Sequence, residues 1–257
     1  MQQRSKFIQR TSALALAAVL ALGMGVQAAG PGASTVDDRR EDLTIFYETL
    51  KDSHPDLFAN TPEETFLARK AELTEHLDSA SDVEFLFGLQ SLAALVGDSH
   101  TSVQVADSVV DQLNAYPMVL SWRDGHWYLT TVPAEEQDLL GAEVTAIGGR
   151  SMAEVVKTFG RVLSADNPVK LRRQYRQVCN VADYYAYLGL AKAGEPLALT
   201  LADGKTVSIA PGWGSKALLY STKRNWSGTL RASSTVYSGT ISLLLPFCPV
   251  CRFCFFC

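Results

Sequence analysis

Cysteine is absent from the first 178 residues, and Cys179 is the only one before position 248. The other four, at positions 248, 251, 254 and 257, lie within the last ten residues. Small exported domains that depend on disulfides carry paired cysteines along their whole length. This distribution therefore excludes a disulfide framework for the globular part of the protein.

The sequence also lacks long runs of a single charge and long apolar runs. Its formal net charge is −4, and its acidic and basic residues are interspersed, which argues against nucleic acid and anionic membranes as partners. The longest apolar run, residues 13–26, contains about fourteen residues, whereas a membrane-spanning helix needs roughly twenty. We therefore expect no nucleic-acid partner and no stable membrane anchor.

The N-terminus has the order of features that is typical of a secretory signal peptide. Residues 1–10 contain three basic and no acidic residues, the apolar run follows, and it ends in Val-Gln-Ala, a small-residue cleavage pattern. We predict that residues 1–28 are a removable signal peptide and that residues 29–34 are a linker of small residues. The protein is then periplasmic or secreted; a retained anchor is the alternative.

Residues 35–98 are predicted to form an N-terminal helical domain. Four apolar residues fall at the spacing of an amphipathic helix: Leu43, Phe46, Tyr47 and Leu50. Capping boxes that begin at Thr61 and Ser81 predict the starts of two more helices. The third of these helices, which extends through Val96, is apolar nearly all round, so we expect it to be buried among the others.

After Gly97 the pattern becomes that of a mixed region of strands and helices. The Asp-Gly pair at 124–125 predicts a β-hairpin turn, and a third capping box, at Ser151, predicts a helix start. The predicted strands cover 118–122, 126–132, 142–147, 197–201 and 206–209, and the predicted helices cover 151–162, 168–178 and 181–192. Together with the helical leader, this pattern predicts an α+β protein.

Three passages carry a resemblance to a known family. They are Gly97-Asp98-Ser99-His100-Thr101 at the end of the helical leader, the strand at 126–132 with the Gly-rich stretch at 140–149, and residues 213–237. The first is similar to the Gly-Asp-x-His-Thr turn of the tail-specific, or C-terminal-processing, serine peptidases, the group that includes tricorn-type peptidases. The second resembles a PDZ-like domain, and the third resembles the lead-in to the family's catalytic domain.

The resemblance implies a helical bundle followed by a PDZ-like mixed β/α domain, residues 99–212, in an exported peptidase that acts on polypeptides or peptides. It implies no cofactor and no metal. An extended peptide would add to the edge of the strand at 126–132 by backbone pairing. The residues expected to bind it are His126, Trp127, Tyr128, Leu129 and Gly141. The alternative is that this strand is part of an internal hairpin.

His100 is the candidate catalytic residue. A histidine in a turn between a buried helix and a strand can face a cleft and act as a base, or orient one. The alternative is structural, with Asp98 and Thr101 capping the turn while His100 forms a hydrogen bond across the domain boundary. The sequence contains neither a Gly-x-Ser-x-Gly elbow nor a His-Glu-x-x-His helix.

The sequence departs from the family pattern after residue 237. The Asp-x-Arg-x-Asn-x-Gly-Gly segment of the family and its catalytic serine do not occur, so the C-terminal α/β catalytic domain is expected to be missing and the chain inactive. Residues 238–257 are interpreted as an aberrant Cys/Phe-rich tail. Four thiolates could bind a metal, but the regular Cys-x-x-Cys spacing lacks the longer gap of such sites. A non-catalytic periplasmic peptide-binding protein remains the alternative function.

Overall fold

The computed structural model describes residues 34–105, 109, 112–212, 218–220 and 251–255. All of them belong to one compact unit. The predicted signal peptide, almost all of the linker, and most of the lead-in and the tail lie outside the described residues. Their interpretation therefore stays a prediction.

Three helices begin the described part of the chain, as the sequence predicts: α1 (Val36–Ser53), α2 (Glu63–Glu75) and α3 (Asp82–Val96). The predicted capping box at Ser81 is confirmed, because the Ser81 hydroxyl accepts a hydrogen bond from the Glu84 N–H at 3.2 Å. The predicted box at Thr61 is wrong. Pro62 is the N-cap of α2, since the Thr61 hydroxyl instead donates to the carbonyl of Leu95 at the end of α3.

Helix α3 is the centre of the helical part, and it is buried on almost every side, as its apolar composition predicts. A buried ion pair also joins Arg39 of α1 to Asp82, the first residue of α3. Arg39 Nη2 lies 3.1 Å from Asp82 Oδ1, and Arg39 Nη1 donates to the Leu77 carbonyl at 2.8 Å. Each side chain of the pair is only 8% exposed.

An antiparallel sheet forms the second part of the fold. The strands are β2 (Val119–Arg123), β3 (His126–Pro133), β4 (Glu143–Ile147), β5 (Arg150–Ser151), β6 (Leu197–Leu201), β7 (Thr206–Ile209) and β8 (Leu218–Tyr220). The main path of the sheet is β2-β3-β4-β6-β7, with β5 paired to β4 and β8 paired to β3. The predicted turn between β2 and β3 is confirmed, with positive φ at Asp124 (50°) and Gly125 (93°).

Helices and a 3-10 helix pack around this sheet. They are the 3-10 helix Ala134–Leu139, α4 (Met152–Phe159), α5 (Pro168–Val178) and α6 (Ala182–Tyr187). The helix predicted over 181–192 is shorter in the structure, and Gly189 follows its end in the left-handed region with φ 67°. Aromatic packing joins α4, α5 and α6, because the Phe159 ring lies 4.8 Å from that of Tyr175 and 5.0 Å from that of Tyr185.

The predicted α+β class is confirmed by these elements. The division of the chain at residue 98 and the missing catalytic domain stay predictions. Strand β1 (Thr101–Val105) follows α3 directly and pairs antiparallel with β9 (Cys251–Phe255). Among the described helices, none combines the length and the apolar character needed to cross a bilayer.

Candidate functional site

The Asp98 carboxylate organises the turn that contains His100. Its Oδ1 accepts a hydrogen bond from the Thr101 N–H at 2.8 Å and another from the His100 N–H. Its Oδ2 accepts from the Thr101 hydroxyl at 2.7 Å and lies 3.0 Å from His54 Nε2. The turn is therefore held by one acidic side chain at the junction of α3 and β1.

These hydrogen bonds determine the ionisation of Asp98. Burial raises the pKa of Asp98, but the Thr101 hydroxyl, the His100 and Thr101 N–H groups and the His54 side chain together outweigh burial and lower the pKa to about 2. The carboxylate is therefore charged at neutral pH.

The side chain of His100 extends out of this turn. It is 71% exposed, and its Nδ1 lies 3.9 Å from Asp98 Oδ1. The capping of the turn by Asp98 and Thr101, which was the structural alternative, is present in the structure. It leaves the imidazole accessible, so a role of His100 as a base stays a prediction.

The turn is hydrogen-bonded to Asp166, which lies just before the start of helix α5. The Ser99 hydroxyl donates to Asp166 Oδ1 at 2.5 Å, and the Asp166 N–H lies 3.4 Å from the same hydroxyl. The hydrogen bond from Ser99 is the main cause of a lowered pKa at Asp166, and the nearby charge of His100 adds to it. Residues 99 and 166 thus place His100 beside the start of α5.

Asp166 also lines a groove at the surface of the described residues. This cavity of about 750 Å³ lies between the β2–β3 hairpin, β4, α4 and α5, and is here named the α4–α5 groove. Its apolar lining includes Trp122, Trp127, Met152, Val156 and Leu171. The Trp122 and Trp127 rings contact each other edge to face across the hairpin, with centroids 5.3 Å apart.

The structure corrects the expected position of the free strand edge. Strand β3 is paired on both sides, with β2 along one edge and with β4 and β8 along the other. The Gly-rich stretch returns beside β3, where the Gly141 N–H donates to the Leu129 carbonyl at 2.8 Å. Residues 126–132 are therefore internal to the sheet, and a peptide cannot add to them by backbone pairing.

The main path of the sheet ends instead at β2 and, on the far side, at β7. No strand of the described residues pairs with the outer side of β2. The Leu120 N–H points outward and donates to the sulfur of Cys179 at 3.3 Å. Because backbone direction alternates along an antiparallel strand, Trp122, two residues later, also directs its N–H and C=O outward. Burial raises the pKa of Cys179 to about 11, so this thiol stays protonated.

The residues expected to bind peptide are divided between the groove and the core. His126 and Trp127 line the α4–α5 groove, and His126 Nδ1 lies 2.6 Å from Glu143 Oε1. Leu129 is fully buried, and the Gly141 N–H is used in a hydrogen bond to the Leu129 carbonyl of β3. A binding role for this set, including Tyr128, stays a prediction.

Sequence reasoning missed three parts of this site. Trp122 and helix α5 were not identified as lining a groove, and no contact between His54 and Asp98 was predicted. The contact between His54 and Asp98 joins positions 44 residues apart, which no local pattern reveals. A usable signal was present in α5, because Arg172, Arg173 and Arg176 fall on one side of a helix.

No protein-family model matches this chain, and no curated protein sequence does. Among solved structures, mature CPAF complexed with lactacystin is similar over 70% of this chain and 36% of its own, at 14% identity and a TM-score of 0.46. The photosystem II D1 C-terminal processing protease is similar over 66% of this chain and 43% of its own, at 13% identity and a TM-score of 0.24.

This chain therefore spans less than half the length of either protein. At such identities and TM-scores, the similarities do not by themselves assign a family or an activity to it.

Proposed function

We propose that this chain binds a polypeptide segment in the α4–α5 groove and holds it beside His100, as the substrate-binding part of an exported serine peptidase of the tail-specific kind. One observation carries the proposal. The turn that presents His100 is hydrogen-bonded, through Ser99, to Asp166 on the rim of the groove. A segment bound there would lie close to the imidazole.

The chemistry of the groove supports a peptide as its ligand. An apolar lining with a few polar groups at the rim is typical of a site that holds apolar side chains and orients their polar backbone. The outward N–H and C=O of Trp122 add a backbone donor and acceptor that pair with no strand of the described residues. Strand edges of this kind bind extended peptides by backbone pairing.

Hydrolysis requires a nucleophile in addition to a base. The family segment that precedes the serine does not occur in this sequence, so we propose that the chain as given binds without cleaving. The second candidate is a dedicated peptide-binding protein, and one observation favours it. The described residues that line the groove all come from residues 122–172, so one continuous stretch of this chain supplies them.

Export is part of the proposal and rests on residues 1–28. After expression in a secreting host, the mature chain should begin near residue 29, as intact-mass measurement would determine. An unprocessed chain retained inside the cell would contradict this part alone.

The binding proposal is tested by filling the groove. Ala153 is an exposed helical residue in its lining, so Ala153→Trp introduces bulk into the groove at little cost to folding. We expect fluorescence anisotropy with labelled, apolar-ended peptides to show affinity weakened about tenfold or more.

The matched control is Ala68→Trp, the same change at an exposed helical alanine that lines a different cavity, on α2. It should bind peptide as the unmodified chain does. Equal weakening by both variants, or no binding of any peptide to the unmodified chain, would overturn the proposed function.

A further inference from the structure

A second groove lies on the outer side of β2, next to the first. Helix α5 runs along this edge, and between them is a cavity of about 470 Å³, here named the arginine groove. Four of the residues that line it are arginines: Arg123, Arg172, Arg173 and Arg176. In a chain whose formal net charge is −4, this is a marked local concentration of positive charge.

The arginines on α5 are not neutralised by acidic side chains. Arg123 pairs with Asp124 of the hairpin turn at 3.2 Å. In contrast, Arg172, Arg173 and Arg176 form no ion pair with a carboxylate of the described residues. Arg176 Nε donates to the Ser121 hydroxyl at 3.2 Å. Among the described residues that line the arginine groove none is acidic, so its field favours an anionic ligand.

The arginine groove adjoins the α4–α5 groove. Trp122 and Arg172 line both cavities, and the Arg172 guanidinium lies 4.9 Å from the centroid of the Trp122 ring. Trp122 is 40% exposed, and its backbone groups point outward between the two cavities. A single extended ligand can therefore occupy both grooves and pass over Trp122.

We propose that the arginine groove binds acidic side chains of the same peptide whose apolar residues occupy the α4–α5 groove. The inference rests on the proposed function and narrows its ligand to segments in which Asp or Glu neighbours an apolar residue. A peptide is the occupant, rather than another polyanion, because the open backbone of Trp122 and the adjoining apolar lining both match an extended chain.

Three labelled peptides with one apolar anchor and an amidated C-terminus test this inference. The acidic peptide has Glu and Asp as flanking residues, the amide peptide has Gln and Asn, and the Lys peptide has Lys. We expect the acidic peptide to bind about tenfold more tightly than the amide peptide at low ionic strength, and the Lys peptide to bind most weakly. The preference should shrink as salt is raised, since exposed charges are screened.

The variant Arg173→Gln/Arg176→Gln removes the two exposed arginines and leaves Arg172 on Trp122. The acidic preference should fall to about twofold or less, as expected when exposed ion pairs are lost, while binding of the amide peptide stays unchanged. The control Lys170→Gln removes one positive charge from α5 at a residue outside the groove lining. It should retain the preference of the unmodified chain.

The possible failures are distinguishable. Equal affinity for acidic and amide peptides, or an unchanged preference in the double variant, would overturn the acidic inference and leave the proposed function standing. Preference for a free C-terminal carboxylate over acidic side chains would also overturn it, as would tighter binding of a sulfated glycan in competition. If none of the three peptides binds, both the acidic inference and the proposed function are contradicted. The salt dependence of the unmodified chain is decisive even if the double variant does not fold.

Discussion

At the scale of single residues, the Asp98 carboxylate joins parts of the chain that lie far apart. It accepts two hydrogen bonds from Thr101 and one from the His100 backbone, and it contacts His54 at the end of α1. Sequence reasoning identified the local half of this arrangement, because Asp and Thr three residues apart form turns by a known chemistry. The His54 contact depends on how α1 packs, so it could not be predicted.

Asp98→Asn tests how strongly this carboxylate holds the turn. Its folded pKa of about 2 lies below the ordinary value of 3.8, so the unfolded chain binds a proton more readily. The stabilisation is then fully present above about pH 4 and is lost as pH falls towards 2. We expect Asp98→Asn to lower the free energy of unfolding by about 2 kcal/mol at pH 7.

Urea denaturation of both proteins from pH 7 to pH 2 measures this difference. The gap between them should narrow steadily below about pH 4. A gap that is the same at every pH would show that the Asp98 charge does not stabilise the fold.

At the scale of elements, the buried pair Arg39–Asp82 fixes α1 against the start of α3. Removing one partner leaves the other charge buried and unpaired, which is costly. We expect Arg39→Ala to lower the free energy of unfolding by about 3 kcal/mol. Chemical denaturation followed by circular dichroism measures it.

Arg40→Ala is the matched control for that change. Arg40 neighbours Arg39 on α1, but its ion pair with Asp37 is exposed on the surface, and such pairs contribute well under about 1 kcal/mol. A similar loss in both variants would mean that Arg39 acts through helix propensity and not through its buried pair.

The strands show what sequence patterns can and cannot determine. Alternating residues and an Asp-Gly turn predicted β2, β3 and their hairpin, because both signals are local. The neighbour on the other side of β3 was not predictable, since its partners in β4 and β8 come from later in the chain. A free edge was therefore assigned to β3, whereas the edge strands of the main path are β2 and β7.

At the scale of the whole molecule, the class of fold followed from the sequence, but the groove did not. Helix starts at Ser81 and Ser151, and the glycine turns, are encoded within a few residues each. The α4–α5 groove brings Trp122 of β2 together with Leu171 of α5, and only the tertiary packing of the sheet and helices places them together. His100 was identified because its motif is local, and its link to the groove through Asp166 became visible only in the structure.

The central claim is that a polypeptide segment binds in the α4–α5 groove beside His100. Photo-crosslinking tests it most directly, with a peptide that carries a benzoylphenylalanine in its apolar part and mass-spectrometric mapping of the attached residue. The account predicts crosslinks to α4 and α5, around Met152 and Leu171. Crosslinks concentrated on α2 near Ala68, or distributed over the surface without preference, would contradict it.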